Sequence, residues 1–146
     1  VNVSSIAGRV APPYGGAYSA SKHALEAMSE SLHFEVSQLG IRVHLIEPGR
    51  FATGFQDNIV HPASWTGSAQ EQRALAFRNS LTSLDGGGPP SDPQAVADAI
   101  VRAATDPSMP FRTLVGEDAA LIDATKTSMS FEDFETTMRT ALDWHD

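Results

Sequence analysis

Short apolar runs alternate with longer stretches of helical spacing along this 146-residue chain. Residues 1–5 are predicted to be the end of a buried strand, and residues 41–46 a second strand that stops at a Pro-Gly pair. Residues 17–39 between them are predicted to be a helix that ends at Gly40, because glycine favours the position after a helix. This strand–helix–strand order predicts two parallel strands joined by a right-handed crossover.

One face of the predicted 17–39 helix carries small and apolar side chains at helical spacing. This small-residue face comprises Ala20, Ala24, Ala27, Met28, Ser31 and Leu32. Two interpretations stay open. The side chains pack closely against the sheet, which we expect for most of them taken singly, or they form part of an interface between subunits. The sequence by itself supports close packing only.

The second half of the chain predicts three further helices and one strand. A helix is expected over residues 69–81, with Leu75 and Phe77 partly buried. The next helix begins at Ser91-Asp92-Pro93, where a capping residue precedes proline, and residues 111–116 form a last strand. The final helix starts at Ser130, and core or interface packing is expected for Phe131, Phe134, Met138 and Leu142.

Composition favours one globular core and argues against several classes of partner and site. The chain is 41% hydrophobic and 19% charged, as in an ordinary soluble domain. A net charge of −8 argues against nucleic acid and anionic membranes as partners. The chain has no cysteine and its five histidines lack ligand spacing, so neither a disulfide nor a metal site is expected. No apolar run is long enough to span a membrane, and we expect a cytoplasmic location.

The candidate chemistry begins with Tyr18 and Lys22, which stand four residues apart, with Ser5 upstream. Positions i and i+4 of a helix share a face, so the phenol and the ammonium are expected to project together. A free phenol, with a pKa near ~10, is a poor acid–base group at neutral pH, and a nearby cation favours the phenolate. Ser5 is expected where a parallel strand ends, and its hydroxyl can donate to a reacting oxygen. The alternative for this pair is a solvated helix face without a catalytic role.

Three motifs extend this candidate site. They are Asn2-Val3-Ser4-Ser5-Ile6-Ala7-Gly8, Tyr18-Ser19-Ala20-Ser21-Lys22, and Pro48-Gly49 followed by Thr53. Together they resemble the short-chain dehydrogenase/reductase family, and the spacing from Ser5 to Tyr18 places Ser5, rather than Ser4, in the family's catalytic position. The resemblance implies an α/β fold that is a partial Rossmann-like, doubly wound parallel sheet.

The resemblance also implies a role for each catalytic candidate. Tyr18 resembles the catalytic acid–base of the family. Lys22 resembles the residue that favours the phenolate of that tyrosine and hydrogen-bonds the nicotinamide ribose, so both residues also contact the cofactor. Ser5 resembles the residue that orients the substrate oxygen. The implied function is an oxidoreductase that interconverts an alcohol and a carbonyl with NAD or NADP.

The segment after the second predicted strand resembles the family's nicotinamide-binding turn. Pro48 and Gly49 resemble the turn that passes along the nicotinamide, and Thr53 resembles the hydroxyl near the cofactor's carboxamide and phosphates. Phe51 stands where a backbone group meets the carboxamide, and its side chain is expected only to pack. Residues 54–91 correspond to the segment that covers the substrate, so we expect a mobile lid over an apolar pocket, with an ordinary surface excursion as the alternative.

Several parts of the family's site are missing from the sequence. They are the Gly-rich turn for the pyrophosphate, the selector residue that distinguishes NAD from NADP, and the catalytic asparagine of an earlier helix. Gly86-Gly87-Gly88 follows no strand and is predicted to be a loop. Because the chain begins inside a strand at Val1, we expect it to be the C-terminal part of one domain that lacks roughly its first hundred residues. Residues 1–53 would then be the catalytic core, 54–91 the lid and 92–146 a C-terminal helix–strand–helix unit.

Other functions remain open beside the oxidoreductase. The missing cofactor-binding half motivates an inactive fragment or pseudoenzyme that acts as a binding or oligomerising module. A lyase or epimerase on the same fold is a further alternative, because fold and motif do not fix the reaction. The partners implied by the resemblance are an alcohol or ketone substrate and further copies of the chain, in a homo-dimer or tetramer formed through the 17–39 helix.

Overall fold

A computed structural model describes residues 1–81 and 91–144 of the chain. The strands among these residues are β1 (Asn2–Val3), β2 (Leu45–Pro48) and β3 (Arg112–Val115). They form one parallel sheet in the order β1, β2, β3, in which Leu45 aligns with Asn2 on one side and Arg112 on the other. The predicted α/β class and the parallel pairing of the strands are therefore confirmed.

Five α-helices lie among the described residues, and four of them correspond to predictions from the sequence. They are α1 (Gly16–Val36), α2 (Ala69–Ser80), α3 (Gln94–Thr105), α4 (Glu117–Thr127) and α5 (Phe131–Ala141). A short 3₁₀ turn follows α1 and stops at Gly40, whose φ of 76° is the left-handed conformation that glycine favours. The sequence analysis does not predict α4, which packs on the apolar core through Ala119, which is fully buried, and Ile122.

The sheet separates two apolar clusters. Because side chains alternate along a strand, Ile46 and Val115 point to one face, where they pack with Ala99 of α3. Leu114 points to the other face and packs with the cluster that includes Ala119 of α4. Both faces of the parallel sheet are therefore covered by helices, as expected for a doubly wound arrangement.

The central strand starts later and ends later than the sequence predicts. Residues 41–46 were the expected strand, whereas β2 begins at Leu45 and includes Pro48. Ile41 is 52% exposed, and the bonds to neighbouring strands begin where His44 accepts the N–H of Asn2. Strand boundaries depend on which neighbours supply hydrogen-bond partners, and the apolar pattern of one segment does not contain that information.

The helix α1 buries polar residues and exposes its small-residue face. Every residue of that face is exposed, including Met28 at 71% and Leu32 at 42%. The buried residues of α1 are Ser19, Glu26 and Ser29. The interpretation that the small-residue face packs against the sheet is therefore wrong. Polar bonds fix the inward face instead, as where the Asn2 amide donates to the Ser29 hydroxyl at 2.8 Å.

The predicted helix over residues 69–81 is confirmed as α2, with one error in its burial. Phe77 is 6% exposed, whereas Leu75 is 47% exposed, so the expected partial burial of Leu75 is wrong. The Phe77 ring lies 6.3 Å from that of Tyr14 and 5.3 Å from that of Trp144, measured between ring centroids. These aromatic contacts turn one side of α2 inward and leave Leu75 toward solvent. The predicted loop at Gly86–Gly88 lies outside the described residues.

The predicted helix starts near Pro93 and Ser130 are confirmed, and side chains bond the first backbone amides of α3 and α5. Asp92 Oδ1 accepts the backbone N–H of Gln94 at 2.9 Å. Ser130 Oγ accepts the backbone N–H of Asp133 at 3.1 Å. Such side-chain caps satisfy amides that have no partner inside the helix. Phe131, the first residue of α5, is 66% exposed. The expectation that Phe131 packs in the core is therefore wrong, and an interface stays a prediction.

A buried ion network joins the sheet to α1 and α4. Glu47 in β2 is fully buried. Arg9 Nη1 lies 3.4 Å from Glu47 Oε1, and Arg9 Nε lies 2.6 Å from Asp123 of α4. Arg112 Nε lies 3.7 Å from Glu47 Oε1 and 3.0 Å from Oε2 of Glu26 in α1. Two arginines thus face a carboxylate whose charge would otherwise be strongly disfavoured in the interior.

The environment of Glu47 favours its protonated form. Burial, and after it the charge of Glu26, raise the pKa of Glu47 from 4.5 to about 7, although Arg9 acts in the opposite direction. Glu47 therefore binds a proton more tightly in the folded chain than in the unfolded chain. The resulting stabilisation of the folded chain is complete below the pKa that Glu47 has in the unfolded chain. It is lost as the pH rises to the pKa that Glu47 has in the folded chain.

We expect the free energy of unfolding to fall between about pH 4.5 and pH 7, with a contribution from Glu47 of up to about 3 kcal/mol. Glu47→Gln cannot ionise and should remove most of this slope. Glu35→Gln, on the exposed side of α1, is the control and should retain it. Urea unfolding of the three proteins across this range measures the slope. A slope in Glu47→Gln equal to that of the natural chain would contradict the assignment.

Candidate catalytic site

Ser5 lies where β1 ends and a 3₁₀ turn over Ile6–Gly8 begins. Its hydroxyl accepts the N–H of Ala7 at 3.1 Å and donates to the Pro48 carbonyl oxygen at 3.4 Å. Ser5 therefore links the ends of β1 and β2 at the carboxyl edge of the parallel sheet. The neighbouring Ser4 is also buried, and its Oγ has no hydrogen-bond partner among the described residues.

Tyr18 and Lys22 lie together near the start of α1. Lys22 Nζ is 5.6 Å from the centroid of the Tyr18 ring and donates to the Val3 carbonyl oxygen at 3.0 Å. Both side chains belong to half-buried residues. Because Val3 ends β1 and Ser5 follows two residues later, the ammonium connects the Tyr18 side of the site to the strand that carries Ser5.

The chain turns at Gly49 and Arg50 directly after β2. The N–H of Gly49 donates to the Val115 carbonyl oxygen at 2.9 Å. The N–H of Arg50 donates to Asp118 Oδ2 at 2.7 Å. Both of these amides are bonded within the protein. These two donors are therefore not available to a ligand at this turn.

Three residues beyond the turn have different surroundings. The Phe51 ring packs on the apolar cluster of α3, and its backbone forms a bridge with Ser91. Thr53 Oγ1 accepts the N–H of Phe55 at 3.3 Å, which closes a local loop. The Phe55 ring lies 5.2 Å from the Tyr18 ring, and Phe55 is 50% exposed. Phe55 is thus the member of this segment that reaches the phenol.

The predicted site residues form two contacting pairs, Ser5 with Pro48 and Tyr18 with Lys22. The side chains of the remaining candidates have structural contacts, since that of Phe51 lies in the core and that of Thr53 bonds within its own loop. The pairs come from the ends of two neighbouring parallel strands and from the helix between them. That is the location in which open α/β sheets bind ligands.

Sequence reasoning placed Phe55 only within the predicted lid over residues 54–91, and it missed Asp118. Phe55 touches the Tyr18 ring. Asp118 bonds the turn after β2, from a helix that the sequence did not predict. The Gly116-Glu117-Asp118 sequence after the last predicted strand was its signal, because acidic residues favour a helix N-terminus.

A phenol beside an ammonium can exchange a proton with a ligand oxygen. The bond from Lys22 to Val3 uses one of three ammonium hydrogens, so the other two can bind hydroxyl groups such as those of a ribose. These donors fit the nicotinamide–ribose side of NAD or NADP. The described residues include no Gly-rich turn between a strand and a helix, so they do not supply the phosphate-binding element of such a site.

The described parts of the chain contain neither a candidate metal site nor a candidate membrane-spanning helix. Within residues 1–81 and 91–144, no three His, Cys, Asp or Glu side chains are grouped so as to hold a metal ion. None of the helices in the same two segments is both long enough and apolar enough to cross a membrane.

Comparison with known proteins gives a consistent family relationship. Residues 1–63 match the family model described as short chain dehydrogenase. A 3-ketodihydrosphingosine reductase of Bacteroides thetaiotaomicron is 40% identical over 117 residues, which are 80% of this chain and 43% of that reductase. Retinol dehydrogenase 16 of Mus musculus is 54% identical over 54 residues, 37% of this chain and 17% of that protein.

A solved structure is similar over nearly the whole chain. It is the crystal structure of a short-chain dehydrogenase from Streptomyces avermitilis, with a TM-score of 0.63 and 26% identity. The similarity covers 99% of this chain and 52% of the solved one. The chain thus spans about half the length of the Bacteroides reductase and of the solved structure, and a smaller part of the retinol dehydrogenase.

We expect Ser5→Ala and Ser4→Ala to differ in stability although both remove a buried hydroxyl. Ser5→Ala removes the cap of a 3₁₀ turn and should cost about 1 kcal/mol of unfolding free energy. Ser4→Ala removes a hydroxyl that has no partner among the described residues and should cost less than about 0.5 kcal/mol. Thermal or urea unfolding distinguishes the two. A larger loss for Ser4→Ala than for Ser5→Ala would contradict the assigned hydrogen bonds.

Proposed function

Because the chain belongs to the short-chain dehydrogenase family, we propose that it supplies the proton-transfer site of an NAD- or NADP-dependent oxidoreductase that interconverts an alcohol and a carbonyl. The observation that carries this proposal is the contact of Lys22 with both the Tyr18 ring and β1, next to the strand end at Ser5. The dehydrogenase or reductase class follows from the relatives. The cofactor, the residue roles and the reaction belong to the proposal.

Tyr18 is the proposed acid–base. In the reductive direction its hydroxyl gives a proton to the oxygen of a carbonyl that becomes an alcohol, and in the oxidative direction the phenolate takes that proton back. The ammonium of Lys22 lies beside the Tyr18 ring, with Nζ 5.6 Å from its centroid. Its bond to Val3 holds it beside the ring in the absence of any ligand.

Ser5 is proposed to orient the substrate oxygen. Its hydroxyl hydrogen points to the Pro48 carbonyl over a long distance of 3.4 Å, so this bond is weak and easily exchanged. Rotation about the Cβ–Oγ bond turns the donor toward a substrate oxygen, while Oγ keeps its bond to the Ala7 amide. A hydroxyl held in this way stabilises charge on the reacting oxygen.

The nicotinamide cofactor, when bound, supplies the hydride chemistry that protein side chains lack. Lys22 would bind its ribose, and the surface of the turn at Pro48 and Gly49 would lie along its ring. The backbone N–H groups of Gly49 and Arg50 both bond within the protein. The turn would therefore contact the cofactor through its surface and its carbonyl groups. Thr53, whose hydroxyl accepts only a local amide, retains a hydrogen to donate to the cofactor.

The proposed substrate is a hydrophobic alcohol or ketone. Two relatives are named for 3-ketodihydrosphingosine and for retinol, both of which carry their oxygen on a largely hydrocarbon molecule. In this chain Phe55 lies against Tyr18 and is 50% exposed. An exposed apolar side chain next to the acid–base provides surface that a hydrocarbon chain can cover.

We expect Tyr18→Phe to lower turnover of a hydrophobic ketone by at least about a hundredfold, because it removes the transferred proton. Binding of the reduced cofactor, followed by its fluorescence, should change less than about threefold. Tyr14→Phe is the matched control and should keep its turnover, since the Tyr14 ring contacts Phe77 and not Lys22. Turnover in Tyr18→Phe equal to that of the natural protein would refute the mechanism.

The exposed small-residue face of α1 is proposed to be the contact between copies of the chain in a homo-dimer or tetramer. It presents Met28 and Leu32 to solvent, beside a groove of about 390 Å³ that Asn2 and Leu25 also line. Contiguous apolar surface of this kind favours association with another protein surface. Two copies of one helix form such a contact with two-fold symmetry, in which each copy supplies the same residues.

We expect Met28→Glu to convert the proposed oligomer into a monomer, because it places a charge at the centre of the contact. Leu121→Glu changes a side chain of α4 with 53% exposure and should leave the oligomer intact. Light scattering coupled to size-exclusion chromatography gives the mass of each. A natural protein that is monomeric at high micromolar concentration would count against the oligomer.

A further inference from the structure

A buried carboxylate outside the proposed catalytic residues lies against the turn after β2. Asp118, in the first turn of α4, is 5% exposed. Its Oδ2 accepts the backbone N–H of Arg50 at 2.7 Å. Along the chain, α2, α3 and β3 all lie between Arg50 and Asp118. The bond therefore ties the C-terminal unit of the chain to the proposed cofactor-binding turn.

Two glycines, Gly49 and Gly116, lie against the Asp118 carboxylate. A Cβ atom added to Gly49 would lie only 2.1 Å from Asp118 Oδ1 and 2.4 Å from Oδ2. A Cβ atom added to Gly116 would lie 2.6 Å from Oδ1, and Gly116 also has a φ of 105°. Carboxylate oxygens thus occupy the volume in which a side chain at position 49 would begin. The contact with Asp118 is therefore sufficient to explain why position 49 requires glycine.

The bond from the Arg50 amide to Asp118 extends the hydrogen bonding between β2 and β3 beyond the ends of these strands. Pro48 pairs with Val115, and the N–H of Gly49 donates to the Val115 carbonyl oxygen at 2.9 Å. β3 ends at Val115, so it supplies no further carbonyl to the turn. Asp118 provides the next acceptor and fixes the direction in which the chain leaves β2.

We propose that Asp118 is a positioning residue of the catalytic site, which holds the Gly49–Arg50 backbone against the sheet and thereby sets the surface that the cofactor contacts. This inference rests on the proposed function for its cofactor, and on the hydrogen bond and the glycine contacts for its geometry. Asp118 is not proposed to touch the substrate. Its carboxylate is buried between backbone segments and acts on the reaction through the turn.

The contact itself is tested without any cofactor, by a double-mutant cycle between positions 49 and 118. Gly49→Ala should lower the melting temperature by at least about 5 °C, because its Cβ overlaps the carboxylate. In an Asp118→Ala background the same change should cost less than half as much, because the overlapping oxygens are gone. An equal loss in the two backgrounds would overturn the proposed contact.

The positioning role is tested by cofactor affinity in the full protein. Asp118→Ala should weaken binding of NADH or NADPH, whichever binds the natural protein, by about tenfold. Asp118→Asn keeps an oxygen that accepts the Arg50 amide, and should restore the affinity to within about threefold of the natural value. Glu117→Ala, on the exposed neighbour in the same helical turn, is the control and should leave affinity unchanged.

The two tests separate the failure of this inference from the failure of the proposed function. Unchanged cofactor affinity in a folded Asp118→Ala protein would overturn the positioning role, even where the cycle shows coupling. Equal weakening by Asp118→Asn and Asp118→Ala would also overturn it, because the accepted hydrogen bond would then not matter. A natural protein that binds neither nucleotide would refute the cofactor proposal and, with it, the positioning role, while the cycle would still decide the contact.

Discussion

The fold depends on a carboxylate that has no access to solvent. Glu47 lies in the middle strand, and its compensation comes from Arg9, after the turn at the end of β1, and from Arg112, at the start of β3. The same arginines bond Asp123 of α4 and Glu26 of α1. Because these ion pairs join the middle strand to β3, α1 and α4, they hold these elements in one mutual arrangement. The apolar clusters on the two faces add cohesion that is less directional.

The candidate site occupies the edge of the sheet next to this network. Glu47 immediately precedes Pro48, whose carbonyl accepts the Ser5 hydroxyl, and Arg9 follows the turn that Ser5 caps. The network therefore fixes both strand ends from the inside, while Asp118 fixes the chain beyond β2 from the side of α4. Hydrogen bonds to backbone atoms position Ser5 and Lys22 of the candidate site, as the precise placement of functional groups requires.

The helix α1 explains why some expectations succeeded and others failed. Its extent, its end at Gly40 and the shared direction of Tyr18 and Lys22 follow from helical spacing and from glycine's conformational freedom, both of which are local properties. Of the two interpretations of its small-residue face, packing against the sheet is wrong, because every residue of that face is exposed. The inward face of α1 carries polar residues instead, such as Ser29, which accepts a hydrogen bond from Asn2. A helix whose inward face is polar cannot be oriented by hydrophobicity alone.

The sequence by itself determined the α/β class, the parallel strands, most helices and the pairing of a phenol with an ammonium. Each of these depends on residues that are close together in the chain, or on a motif of defined spacing. Only the tertiary structure decided which face of α1 is buried, where β2 ends, and that Asp118 lies against Gly49. Those features depend on contacts between segments far apart in the chain. Their partners are selected by burial, charge compensation and available volume, which no local pattern records.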